Sequence, residues 1–350
     1  METKYWSVDN CVNNKEEYPQ LVEASKLLRE GEVVAFPTET VYGLGANALS
    51  DTAVSKIFAA KGRPADNPLI VHISKRNQLG LLTDHVPETA ELLISEFWPG
   101  PLTLIFKKKP GAVSSLVTAG LDTVAVRMPD HPIALALIDA ANVPVAAPSA
   151  NKSGRPSPTT ADHVLDDLRG LIAGVVDGGP AGVGVESTVL DCTSPVPVIL
   201  RPGGLAKEEI EKTVGQVEQD PAIQHAHSAP RSPGMKYRHY APAAPVYLLD
   251  GDNKWIQRKI DEKRGSGLKV GILATSESAP FYSADAVSVC GSRNNLSAVA
   301  QDLYQALRSF DEYDLDLIYS EVFPVEGMGH AIMNRLEKAA GHRKITQEKP

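Results

Sequence analysis

Glu32-Val-Val-Ala-Phe36 runs directly into Pro37-Thr-Glu-Thr-Val-Tyr-Gly-Leu-Gly45. The first part reads as a short buried strand, and Pro37, which has no N–H to give to a ladder, stops it. The second part places small hydroxyl side chains and flexible glycines just past a strand end. Working outward, apolar residues at helical spacing predict a helix over 18–30, closed by Gly31. On the other side Ser50 or Asp51 caps a helix through about Ala60, which Gly62 and Pro64 terminate. Strands are expected at 68–74, 102–106, 123–128, 143–147, 174–177, 187–191 and 196–200, with helices at 88–97, 132–141 and 160–168. Alternation of this kind predicts an α/β fold, a twisted open mixed sheet covered by helices.

The pattern stops between Val217 and Pro245, where Pro221, Pro230, Pro233, Pro242 and Pro245 punctuate the chain. A second α/β pattern follows, with strands near 246–249, 268–274, 286–290 and 315–321 and helices near 254–263, 296–309 and up to 340. The expected organisation is a first α/β domain over 15–210, a Pro-rich linker over 211–245 and a smaller Rossmann-like α/β domain over 246–345. No GxGxxG follows the first strand of the second pattern, so a dinucleotide site is not supported there.

A formal net charge of −8 argues against bulk electrostatic coating of nucleic acid. Cys11, Cys192 and Cys290 lie far apart without a CxxC pair, which fits a reducing compartment and no disulfide framework. No apolar run reaches the ~18 residues of a membrane span. The opening residues lack the apolar core of a signal peptide, and a cytoplasmic location is expected. His225-Ala-His227 has metal-like spacing but no nearby acidic partner, so no metal site is assigned.

Strand alternation sorts the polar residues. In Thr123-Val-Ala-Val-Arg127 the valines share one face while Thr123, Ala125 and Arg127 share the other. That second face reads either as the floor of an anion pocket or as a place for a surface ion pair. His72 falls opposite Leu69, Val71 and Ile73, where it serves a ligand or a structural hydrogen bond. Ser149 and Asn151 project where Pro148 takes the chain out of its strand, an end at which α/β folds bind ligands; a self-bonded turn is the alternative. Lys61 and Arg63 flank Gly62 past a helix end, as dipole partners or as two cations awaiting an anion such as a triphosphate. The Gly178–Gly184 loop is not a Walker motif, and no GxxxxGK[ST] occurs. Nothing suggests a covalent nucleophile, so catalysis is expected from positioning and electrostatics.

Together, Phe36–Gly45, Lys61-Gly-Arg-Pro64, Asn67-Pro-Leu69, Trp98-Pro-Gly-Pro-Leu-Thr103, Ala147-Pro-Ser-Ala-Asn151 and Ser187-Thr-Val-Leu-Asp191 resemble the YrdC-type domain family, in that family's order. The resemblance covers roughly residues 15–206. Ser232–Pro242 and the second α/β pattern are similar to the family's long two-domain form, that of the threonylcarbamoyl-AMP synthases. It implies a nucleotidyltransferase that converts L-threonine, bicarbonate and ATP into L-threonylcarbamoyladenylate and pyrophosphate, for N6-threonylcarbamoyladenosine in tRNA. By matching motif positions, the resemblance assigns threonine to Thr40, His72, Arg127, the Ala147 backbone and Ser187. It assigns ATP to Arg63, Asn67, Thr123, Ser149, Ser157, Arg201 and Tyr240, with Lys61, Arg63, Ser149 and Asn151 as the catalytic set. Mg²⁺ is expected to accompany the ATP phosphates rather than to occupy a protein cage. Downstream tRNA threonylcarbamoyl transfer proteins are the implied partners, with direct tRNA contact a further one and no membrane. Residues 230–242, with Tyr240 and nearby cations, are expected to fold over the nucleotide as a lid. Two other readings stay open: a carbamoyltransferase, since YrdC-type domains occur in hydrogenase-maturation enzymes, and a non-catalytic protein that binds double-stranded RNA or tRNA.

Overall fold

The computed structural model describes residues 2–9, 18–223 and 240–348. His225, His227 and most of the expected lid segment fall outside these, as does Cys11. The described residues divide into two compact units, one drawn from residues 2–9, 18–153, 158–182 and 186–223, the other from residues 154–157, 183–185 and 240–348.

In chain order the first unit contains β1 (Lys4–Ser7), α1 (Pro19–Arg29), β2 (Val34–Phe36), β3 (Gly43–Asn47), α2 (Asp51–Lys61), β4 (Ile70–His72), α3 (Glu88–Phe97), β5 (Leu102–Lys107), α4 (Ser115–Thr118) and β6 (Thr123–Arg127). It continues with α5 (Pro132–Ala141), β7 (Val145–Ala146), α6 (Ala161–Leu168), β8 (Gly174–Asp177), β9 (Thr188–Asp191), β10 (Val198–Arg201), α7 (Lys207–Val214) and β11 (Glu218–Gln219). Its strands form one mixed sheet in the order β1-β8-β2-β3-β7-β4-β6-β5-β9-β10-β11. The expected mixed α/β sheet is therefore present. The alternation read from the sequence holds across it: Val71, Leu104, Val124 and Val126 enter one core with residues of the covering helices.

The opposite face has two halves. Over β2, β7 and β8, α1 and α5 bury Leu21, Leu28, Ile133 and Leu137 against Val34, Phe36, Val145 and Val176. Further along, Ile70, Ile105, Ala125, Val189 and Leu200 form a small cluster to which, among the described residues, strands alone contribute. Five neighbouring strands thus carry a floor onto which the polar residues of Thr123–Arg127 also project.

Several elements were not apparent in the sequence: β1, β3, α4, α7, β11 and the last strand of the second unit. The most consequential is β3, Gly-Leu-Gly-Ala-Asn, whose glycines argue against a strand on propensity. Packing decides otherwise. A Cβ on Gly45 would stand 2.7 Å from a Phe36 ring carbon and 2.9 Å from Val145 Cγ1, so only glycine lets these strands approach.

The second unit contains β12 (Val246–Asp250), α8 (Asn253–Gly265), β13 (Val270–Ala274), β14 (Ala286–Val289), α9 (Leu296–Ser309), β15 (Leu317–Glu321), α10 (Met328–Ala340) and β16 (Lys344–Thr346). Its sheet is parallel throughout, as expected of a Rossmann-like α/β unit, but its strand order β14-β13-β15-β12-β16 differs from the Rossmann order, in which the first strand lies between the second and the fourth.

Candidate active site

Strand direction brings distant residues to common ends of this floor. β4 and β6 run parallel with His72 opposite Arg127, at the C-terminal end of each. β5 is antiparallel to β6, so its first residues, including Thr103, lie at that same end. β9 runs parallel to β5, which puts Ser187, just before β9, there too. β10 turns back antiparallel and ends there at Arg201. At the other end of β4 and β6 stand Thr123 and the loop before β4. One strand of five residues separates the two ends by ~13 Å.

At the first end Arg127 is 4 % exposed. Its Nη1 donates to Thr40 Oγ1 at 2.9 Å and its Nε to the Gly100 carbonyl at 3.2 Å, while Nη2 forms an ion pair with Glu39 at 2.6 Å. Thr40 is itself fixed by Thr38, whose hydroxyl also donates to the Val41 carbonyl at 2.6 Å. Thus Pro37–Val41, past the end of β2, is folded into an Arg127-binding turn. Ser187 and Thr103 share a hydroxyl–hydroxyl bond of 2.7 Å. Arg201 Nη2 donates to the Ser187 carbonyl at 2.9 Å and to its Oγ at 3.1 Å. The pairing register of β10 shifts between Ile199 and Arg201. Such an irregularity re-aims a side chain that simple alternation would send with Ile199.

His72 is buried, its ring edge-on to Phe36 at 6.3 Å, and Nδ1 lies 3.3 Å from the Ile70 carbonyl. Burial first, then the Arg127 charge, depress its pKa to about 3. The imidazole is neutral at pH 7, and a proton there has to be placed beside a guanidinium. Since the folded value lies below the ordinary ~6.5 of the unfolded chain, His72 contributes stability that is full above pH ~6.5 and lost as pH falls toward 3. Unfolding titrations over that window should show a steeper loss for the natural protein than for His72→Asn.

The second end is organised around Lys61, the last residue of α2. Its side chain is 2 % exposed, and Nζ donates to the carbonyls of Ser149 at 2.5 Å and Asn151 at 2.6 Å, with Asn151 Oδ1 at 3.3 Å. The α2 helix stops there because Gly62 takes a left-handed φ of 59°. Ser149 Oγ donates to Asn151 Oδ1 at 2.5 Å. Backbone bonds from Leu44 N to the Pro148 carbonyl, 2.7 Å, and from Ala150 N to the Tyr42 carbonyl, 2.8 Å, bind this segment along β3. Arg63 Nη2 donates to the carbonyls of Asn67 at 3.1 Å and Pro68 at 3.3 Å, which lead into β4. Ala147 lies between the ends, its N–H bonded to the Ile70 carbonyl at 2.9 Å.

Of the residues singled out from the sequence, Thr40, His72, Arg127 and Ser187 gather at the first end. Lys61, Arg63, Asn67, Thr123, Ser149 and Asn151 belong to the second. Arg201, assigned to ATP by resemblance, lies against Ser187. Ser157 and Tyr240 belong to the other unit, where Ser157 is buried and Tyr240 stacks on Tyr304 at 5.5 Å with a φ of 66°. Glu39 and Thr103 were missed. Alternation with Ile105 could have flagged Thr103, and Glu39 sits inside the opening motif. Among the described residues no group of His, Cys, Asp and Glu has the arrangement of a metal site, and no helix is long and apolar enough to cross a membrane. Cys192 and Cys290 are buried free thiols.

The chain resembles known proteins along its whole length. Residues 26–203 match the Sua5/YciO/YrdC family model, described as telomere recombination, and residues 205–341 match the threonylcarbamoyl-AMP synthase C-terminal domain. A threonylcarbamoyl-AMP synthase of Bacillus subtilis (strain 168) is 58% identical over 99% of this chain and 100% of its own length. One from Pyrococcus abyssi (strain GE5 / Orsay) is 50% identical over 92% of this chain and 94% of its own. The crystal structure of P. abyssi Sua5 complexed with L-threonine matches with a TM-score of 0.93 at 47% identity, covering 99% of this chain and 100% of that one.

Proposed function

This chain belongs to the Sua5/YciO/YrdC family in its form with a threonylcarbamoyl-AMP synthase C-terminal domain, and we propose from that premise that it is an L-threonylcarbamoyladenylate synthase. It joins L-threonine, bicarbonate and ATP and releases pyrophosphate. The observation that carries this reading within the chain is the two-ended floor: a buried arginine with hydroxyl and imidazole neighbours at one end, and a lysine-braced Ser149–Asn151 segment beside Arg63 at the other.

In this reading the Arg127 fork takes the threonine carboxylate. Neutral His72, Thr40, Ser187 and the Ala147 backbone surround the rest of the amino acid. Arg63, Asn67, Thr123 and Ser149 take the nucleotide, together with Arg201. The threonine ammonium gives up a proton, and the free amine attacks the bicarbonate carbon. Loss of water leaves a carbamate. One carbamate oxygen then attacks the α-phosphorus in line, and the bond to the β-phosphate breaks as pyrophosphate leaves. No covalent enzyme intermediate is needed. Lys61 and Asn151 hold Ser149 in place, and Arg63 offsets charge on the departing phosphates. Mg²⁺ enters with ATP as part of that substrate. The adenylate is consumed by tRNA threonylcarbamoyl transfer proteins, and a cytoplasmic setting fits both its ATP requirement and the buried thiols. Purified protein should release pyrophosphate only when threonine, bicarbonate and ATP are all present. Release without threonine, or none with all three, contradicts the assignment; the second outcome is the one expected of a protein that only binds RNA.

A further inference from the structure

Arg127 and Glu39 form an unusual pair. Glu39 Oε1 lies 2.6 Å from Arg127 Nη2, yet among the described residues neither Glu39 oxygen nor Nη2 takes part in a hydrogen bond, and all three atoms are shielded from solvent. A buried carboxylate without a donor is costly, because charge attraction alone does not replace the hydration it has lost. The other two Arg127 nitrogens are committed, Nη1 to Thr40 and Nε to the Gly100 carbonyl. One guanidinium N–H direction and two carboxylate oxygens therefore stand side by side with directional capacity unused.

Asp130 follows β6 closely, and its carboxyl is raised by burial and by the nearby Glu39 charge. His131 precedes α5, is 8 % exposed and has no hydrogen bond at Nδ1 among the described residues. Burial lowers its pKa and the Glu39 charge opposes that only in part. His72 is neutral for the reason already given. Within the pair the Arg127 guanidinium is already balanced by Glu39, and both neighbouring histidines favour neutrality. A plain carboxylic acid is poorly matched to such a site, whereas a zwitterion is well matched.

We propose that Glu39 binds the substrate's α-ammonium while Arg127 binds its α-carboxylate, so that the incoming zwitterion exchanges one non-directional ion pair for two hydrogen-bonded ones. This rests on the Arg127 reading and deepens it. Glu39 becomes the residue that makes the site select α-amino acids and that fixes the position of the nitrogen to be carboxylated.

The test is equilibrium binding of L-threonine and of 3-hydroxybutyrate, which is threonine without its amino group, to the full-length protein. The natural protein should prefer threonine by at least ~30-fold. Glu39→Gln should weaken threonine by at least ~10-fold, the scale of a hydrogen bond to a charged group, while 3-hydroxybutyrate stays within ~3-fold or binds more tightly. Glu39→Asp, which keeps the charge on a shorter arm, should fall between, and it carries the comparison if Glu39→Gln does not fold. Equal losses for both ligands, or unchanged threonine affinity, overturn the proposal. Should Arg127→Lys leave both ligands unaffected, the carboxylate assignment itself fails, a result distinct from any outcome at Glu39.

Discussion

Arg127→Ala should raise the threonine concentration needed for half-maximal pyrophosphate release by about 30- to 1,000-fold, the equivalent of losing about 2–4 kcal/mol from a buried charge pair. The ATP requirement should move by no more than ~3-fold, because Arg127 lies a strand length away from Arg63 and Ser149. Removing the guanidinium also leaves Glu39 as a buried carboxylate without a counter-charge, so some stability will be lost as well. Arg127→Lys separates the two effects: the charge remains, the planar fork does not. It should restore the unfolding midpoint largely while recovering threonine affinity only in part. Equal shifts for threonine and ATP in either variant would rule out the carboxylate role.

Lys61→Met is the second large effect, and it acts through other residues. The ammonium satisfies two backbone carbonyls and a side-chain oxygen in the Ser149–Asn151 segment. Methionine keeps most of the volume and leaves those acceptors without their donor, at a cost of about 2–4 kcal/mol. The segment then loses its hold on the nucleotide end, and a misplacement of about 1 Å is enough to lower turnover by ~100-fold. kcat/KM for ATP should fall by that order while equilibrium binding of threonine alone stays within ~3-fold. A threonine affinity that falls in parallel would show that Lys61 supports the unit as a whole rather than one end of the floor.

Much of the floor is legible in the amino-acid sequence. Period-two alternation in Thr123–Arg127 is a local steric fact, and it puts Arg127 and Thr123 on the floor and the valines in the core, where they are found. The same rule places His72 correctly. Pro148 marks where Ser149 and Asn151 leave their strand. The relations between segments are not legible in this way. Which strands run side by side decides that Ser187 and Arg201 meet Thr103, and the register shift in β10 reverses what alternation alone says of Arg201. Gly43–Asn47 looks like a loop because the need for glycine at Gly45 comes from Phe36 and Val145, neither of them sequence neighbours. Lys61 reads as one of two cations awaiting an anion; its role as a brace depends on carbonyls about ninety residues away. Glu39 gives no signal beyond its place in a motif, since its importance lies in what faces it.

The most direct test is a crystal structure of this protein with L-threonine and a non-hydrolysable ATP analogue bound together. The threonine carboxylate should lie within hydrogen-bond distance of Arg127 and the triphosphate beside Arg63 and Ser149, with the amine and the α-phosphate turned toward each other along β4 and β6. Threonine away from Arg127, or phosphates bound on a surface remote from Ser149, would contradict the account.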